Sequence, residues 1–115
     1  MTLDPTAMTH LLEITGGDQG FVDELVDTFI EDATAQIEAL RAAAITGEAE
    51  TIVRPAHSLK SNAANVGATE LGELARELEA DGRAGRVPDV AARIARVETE
   101  FTAVRDALLA ERAAR

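Results

Sequence analysis

The sequence predicts an all-α protein, an antiparallel up-down four-helix bundle with an additional short N-terminal helix. Three observations predict it. Apolar residues recur at steps of three and four in several separate blocks. Glycine, proline and aspartate fall between the blocks, where helices start and stop. Strand signals are poor, with no tyrosine, no tryptophan and no sustained alternation of apolar and polar residues.

The first block is short. Asp4-Pro5 suits a helix start, with Asp4 as cap and Pro5 where its missing N–H costs nothing. Met8, Leu11 and Leu12 fall on one side, and Gly16-Gly17 ends the block. Asp18 can cap a second, long helix whose buried stripe is Phe21 or Val22, then Leu25, Phe29, Ala33, Ile37, Leu40 and Ala44. Gly47 is its stop.

The third helix runs from about Glu48 to Val66. Ile52, Ala56, Leu59, Ala63 and Val66 alternate steps of four and three, and Gly67 closes it. Pro55 removes a helical hydrogen bond, so either the helix bends there or its regular part starts near that residue. The fourth helix, about Thr69 to Ala80, carries Leu71, Leu74, Ala75 and Leu78 and is ended by Asp81-Gly82. The arginines of the Gly82–Gly85 stretch then read as a solvated loop. Pro88 opens the fifth helix, with Val90, Ile94, Val97, Phe101, Val104 and Leu108 on one face. Short connections between long amphipathic helices give the up-down bundle, with the first helix covering one end. No internal repeat or second domain is visible, so residues 1–115 read as a single domain.

Composition narrows the function. The chain has 115 residues, 46% hydrophobic and 28% charged, which is a globular balance and not a disordered one. It has no cysteine, which excludes disulfides and thiolate metal sites. No apolar run approaches the ~20 residues of a membrane span. The N-terminus lacks the basic-then-apolar pattern of a signal peptide, so a cytoplasmic protein is expected. The net charge of -10 is carried entirely by residues 1–50, where Arg41 is the only basic side chain; residues 51–115 balance. An acidic half repels phosphate backbones and argues against nucleic acid as a partner.

The chemistry gathers around His57. At ~100° of rotation per residue, His57 lies roughly 140° from the core direction of its helix and faces solvent. Val53, Lys60, Ser61 and Ala64 share that face, at spacings of three, four and seven. An exposed imidazole is partly neutral at cell pH, so a nucleophilic nitrogen is available. Lys60, the only lysine in the chain, can reach a group bonded to that nitrogen and suits a tetrahedral anion as a compact charge. Ser61 and Ala64 are small enough for a partner surface to come close, and Val53 adds apolar contact. The constellation can accept and display a phosphoryl group. No glycine-rich phosphate loop is present, so ATP binding is not expected. No carboxylate lies one turn from His57 on its own helix, and no motif supplies a catalytic triad. His10 has no paired ligand spacing, so neither metal nor cofactor is expected.

The segment Ala56-His57-Ser58-Leu59-Lys60-Ser61-Asn62-Ala63-Ala64-Asn65-Val66-Gly67 resembles the signature of bacterial histidine phosphotransfer (HPt) domains. The Gly-Gly-Asp before a Phe-containing amphipathic helix, and the run Glu73-Leu74-Ala75-Arg76-Glu77-Leu78-Glu79, are similar to that family too. The resemblance covers nearly the whole chain. It implies a phosphocarrier without kinase activity of its own, which passes a phosphoryl group to and from aspartates of response-regulator receiver domains. It implies that His57 is the phosphoacceptor, on the ring nitrogen distal to the backbone. It implies that Lys60 helps hold the phosphoryl oxygens and that Ser61 stands where the family most often has glycine. The implied partners are receiver domains and a hybrid sensor histidine kinase, with the receiver supplying the aspartate, the divalent metal and most of the catalysis. Met8, Leu11, Leu12, Phe21 and Leu25 are then the expected docking surface, beside Val53 and Ala64. A monomer is expected. The competing reading is a helical adaptor that binds a receiver or kinase and carries no phosphate.

Overall fold

Asp18 starts the first long helix of the computed structural model as an N-cap, its carboxylate accepting the Phe21 N–H at 3.0 Å. The structure describes residues 3–4, 9, 12–13 and 16–114. Among these, four long helices and no strand are present: α1 (Gln19–Thr46), α2 (Glu50–Asn65), α3 (Thr69–Ala84) and α4 (Val90–Ala113). They correspond to the second through fifth helices expected from the sequence. The short N-terminal helix falls largely outside the described residues, as do Met8, His10 and Leu11; Thr9, Leu12 and Glu13 are helical. Leu3 packs against the core, and the Asp4 N–H donates to the Gly67 carbonyl at 2.7 Å, which ties this segment to the α2–α3 turn.

Each helix packs against its chain neighbours, and α4 closes back on α1. Arg112 near the end of α4 reaches Asp27 near the start of α1 at 2.8 Å, and Arg41 late in α1 reaches Glu98 early in α4 at 2.7 Å. These two pairs fix α1 and α4 as antiparallel. The body measures 44 × 22 × 21 Å, about the length of α1 itself at ~1.5 Å per residue.

The core stripe of α1 is rotated slightly from the expected one. Val22, Val26 and Ala43 are buried, whereas Phe21 is exposed and Leu25 and Ala44 are half-buried. Where two apolar residues are adjacent in sequence, the rotation of the packed helix decides which is buried, and tertiary contacts set that rotation. The α2 stripe of Ile52, Ala56, Leu59 and Ala63, continued by Val66, is buried throughout. The helix runs unbroken through Pro55, whose side chain is buried as well. In α4, Ile94, Val97, Phe101, Val104 and Leu108 are buried, and the Phe101 ring lies 6.0 Å from that of Phe29 across the core.

Two helix boundaries differ from expectation, and the first is the start of α4, which begins at Val90 after Asp89 in the left-handed region at φ 53° and not at Pro88. Asp81-Gly82 does not stop α3, which continues to Ala84 with Gly85 as the left-handed cap at φ 88°. Gly82 is buried inside the helix because α2 crosses there: a Cβ on it would lie 2.9 Å from Val53 Cγ2 and 3.0 Å from the Ala49 carbonyl oxygen. This glycine permits close packing and does not terminate the helix.

Candidate functional site

The α2 stripe turns Ala56, Leu59 and Ala63 inward, which leaves His57, Ser61 and Ala64 exposed and Lys60 half-buried. Val53, one turn before His57, is half-buried against Gly82 of α3. On α3, Ala75 and Leu78 are buried, and a further turn along the same face brings Glu79 and Gly82 to the α2 contact. Glu79 is therefore a carboxylate carried into the α2–α3 seam by an apolar stripe.

There it gathers the charges around the histidine. Glu79 Oε2 lies 2.8 Å from His57 Nδ1, with the Glu79 side chain 8% exposed and that of His57 55% exposed. Lys60 Nζ donates to Glu79 Oε1 at 2.8 Å. Arg83, one turn further along α3, donates to Oε2 through Nη2 at 2.9 Å and Nε at 3.3 Å. The hydrogen bonds from Lys60 and Arg83 hold the Glu79 carboxyl down to about 2, against the burial that pushes it up, and the His57 contact adds to the lowering.

An ionised carboxylate only accepts hydrogen bonds, so the proton of this contact sits on His57 Nδ1. The neutral ring then carries its lone pair on Nε2, on the side of the ring away from Glu79. The imidazole is thus oriented through Nδ1 and its tautomer set, which leaves Nε2 as the nucleophile. Lys60 and Arg83 together outweigh the one Glu79 carboxylate, so the surroundings of the imidazole carry a surplus positive charge, which suits a dianionic group on Nε2.

The sequence singled out His57 and Lys60, and the structure brings them together through a residue it did not single out. Glu79 and Arg83 were both hidden from a helix-by-helix reading, since one looks like a solvated surface charge and the other like part of a loop. The available signal was position: Glu79 lies four residues after Ala75, and Gly82 four after Leu78, so both extend the buried stripe. Of the expected docking residues, Phe21 and Ala64 are exposed, Leu12, Leu25 and Val53 are half-buried, and Met8 and Leu11 lie outside the described residues; Ser61, the small residue expected beside the histidine, is exposed. Among the described residues no group of three or more His, Asp or Glu is placed to hold a metal ion, and no helix is long and apolar enough to cross a membrane.

The Hpt domain family matches residues 24–107 of the chain. The crystal structure of histidine-containing phosphotransfer protein B from Pseudomonas aeruginosa PAO1 is similar at a TM-score of 0.90 and 32% sequence identity, covering 99% of this chain and 96% of that one. No curated protein sequence matches the chain.

Proposed function

The chain belongs to the Hpt domain family, and we propose that His57 is the residue on which it carries the phosphoryl group. It is a histidine phosphotransfer protein of phosphorelays. The observation that carries the assignment to His57 is the 2.8 Å contact between its Nδ1 and a buried, ionised Glu79. Only one histidine lies in the matched segment, because His10 precedes it.

The step follows from the tautomer. The Nε2 lone pair attacks the phosphorus of an aspartyl phosphate on a receiver domain. An N–P bond forms as the acyl phosphate P–O bond breaks, and the aspartate leaves as a carboxylate with the bonding electrons. Nδ1 keeps its proton, so positive charge develops on the ring, and Glu79 faces that charge at 2.8 Å. Lys60, three residues after His57, serves the phosphoryl oxygens, and exposed Ser61 leaves room for the incoming surface. The reverse transfer uses the same groups.

Receiver domains and a hybrid sensor histidine kinase are the partners in this reading. They dock on the α2 face around His57, with Val53 and Ala64 beside it and Met8, Leu11, Leu12, Phe21 and Leu25 as the apolar surface. The domain spans residues 1–115, acts as a cytoplasmic monomer, and has no kinase activity of its own, since no phosphate-binding loop for ATP is present in the sequence.

Incubation with a phosphorylated receiver domain, or with a hybrid sensor kinase and ATP, tests this against a His57→Gln control. An acid-labile, alkali-stable phosphate on the wild type and none on the control is the expected result. Normal partner binding by both proteins, with no phosphoprotein formed from active donors, would replace this reading with the helical adaptor.

A further inference from the structure

We propose that Arg83 is a positioning residue that keeps Glu79 compensated while Lys60 turns from that carboxylate to the phosphoryl group on His57. The inference rests on His57 as phosphoacceptor and assigns a role to a residue outside the α2 motif.

In the unphosphorylated protein Lys60 is already engaged, with its Nζ 2.8 Å from Glu79 Oε1. A dianionic phosphoryl group on the neighbouring imidazole competes for the same ammonium. If Lys60 alone compensated Glu79, each move toward the phosphate would leave a carboxylate with an 8% exposed side chain in the α2–α3 seam without a cation. Stranding a buried charge is costly, so Lys60 would be held back. Arg83 removes that obstacle. It grips Oε2 through two nitrogens, at 2.9 and 3.3 Å, while Lys60 sits on Oε1, so the departure of one leaves the other in place.

The arrangement is local to α3. Arg83 lies four residues after Glu79 on the same helix, a spacing at which the two side chains meet without any partner protein. Arg76, one turn before Glu79, cannot substitute while it is paired with Glu73 at 2.8 Å. Arg83 also shares its oxygen with His57 Nδ1, so it holds the carboxylate in the orientation that the imidazole needs. Arg83 never touches the phosphoryl group in this scheme; its effect runs through Glu79 and Lys60.

A double-mutant cycle on the full chain tests it. The rate of transfer from a phosphorylated receiver is measured for wild type, Arg83→Gln, Arg83→Lys, Lys60→Ala and the Lys60→Ala/Arg83→Gln pair, with circular dichroism melts for each. Arg83→Gln is expected to slow transfer about fivefold to tenfold, the scale of one partly exposed ion pair. Arg83→Lys restores the rate to within about twofold, because one ammonium four residues on can still hold Oε2. In the Lys60→Ala background Arg83→Gln slows transfer by a smaller factor than it does alone, since no lysine remains to be released and only the orientation of Glu79 is lost. A wild-type rate for Arg83→Gln, a lysine no better than glutamine, or slowing that multiplies in the double variant would each overturn the proposal. If Arg83→Gln does not fold, Arg83→Met, which keeps the aliphatic stem and removes the charge, replaces it in both Lys60 backgrounds and is judged by the same criterion. A wild type that accepts no phosphate would sink the reading of His57 itself, whereas a phosphorylated wild type with an indifferent Arg83 sinks this inference alone.

Discussion

Glu79 on α3 holds His57 on α2 by the ring nitrogen nearer the backbone, at 2.8 Å, and from a side chain that is 8% exposed. Nucleophile and orienting carboxylate thus come from different helices, and packing of the α2–α3 seam sets their distance. Glu79→Gln keeps an acceptor for Nδ1 but removes the charge opposite the ring. Transfer to His57 is expected to slow by roughly tenfold to a hundredfold, the scale of a charge-assisted hydrogen bond. Stopped-flow or quenched transfer from a phosphorylated receiver reads this directly, and an unchanged rate would remove the charge of Glu79 from the mechanism.

The same carboxylate makes stability depend on pH with a definite sign. Its folded-state value is lowered from 4.5 to about 2 by the hydrogen bonds of Lys60 and Arg83, with that of His57 adding. A lowered folded value means that the stabilisation is fully present above 4.5 and is lost as pH falls from there toward 2. The loss is expected to be on the order of 1–2 kcal/mol, reduced because Lys60 and Arg83 reach solvent. Denaturant midpoints measured between those limits should fall more steeply with acid for the wild type than for Glu79→Gln, and parallel curves would contradict the assignment.

Two glycines of α3 should respond oppositely to alanine. At Gly82 the added methyl meets Val53 Cγ2 at 2.9 Å and the Ala49 carbonyl at 3.0 Å, so α2 and α3 must move apart. Gly82→Ala is expected to destabilise by about 1–2 kcal/mol, overpacking outweighing the gain in helix propensity. At Gly72 the methyl meets only Ala63 Cβ at 3.7 Å, an ordinary contact. Gly72→Ala should stabilise by up to about 1 kcal/mol through propensity alone. Thermal melts of the pair check both signs, and a Gly82→Ala variant as stable as wild type would show that the seam gives way easily.

The contrast between these glycines also marks what the sequence could reveal. The α2 stripe was legible because its alternating steps of four and three leave a single inward face, and His57 then points outward by geometry alone. The end of α3 was misread because Asp81-Gly82 has the local chemistry of a stop, while the contact that keeps Gly82 inside the helix comes from α2. Phe21 and Val22 are both apolar and adjacent, so only packing against the other helices chooses between them. Glu79 escaped notice for the same kind of reason. Its role depends on Lys60 and His57 from another helix, and along its own helix it shows only as a charge continuing an apolar stripe.

Lys60→Ala is expected to slow transfer without abolishing it. The phosphoryl group keeps its bond to Nε2, and Glu79 keeps Arg83, so nucleophile and tautomer survive. A loss of about tenfold corresponds to one cation on a partly exposed anion. Rates equal to wild type would mean that Lys60 serves only to neutralise Glu79.

Ser61 separates docking from chemistry. It is exposed on α2, one turn beyond His57, and is not one of the buried core residues. Ser61→Phe should therefore leave the melting temperature within about 2 °C of wild type, as surface substitutions away from special features do. The ring would occupy the space into which a receiver surface must come for Nε2 to meet the phosphorus. Transfer from a phosphorylated receiver is expected to fall by at least about a hundredfold, because an in-line attack tolerates little displacement. Titration calorimetry with the unphosphorylated receiver should show binding lost in parallel. Weakened transfer with undiminished binding would move the docking surface off this face of α2, while normal values of both would show that a small residue is not required beside the histidine.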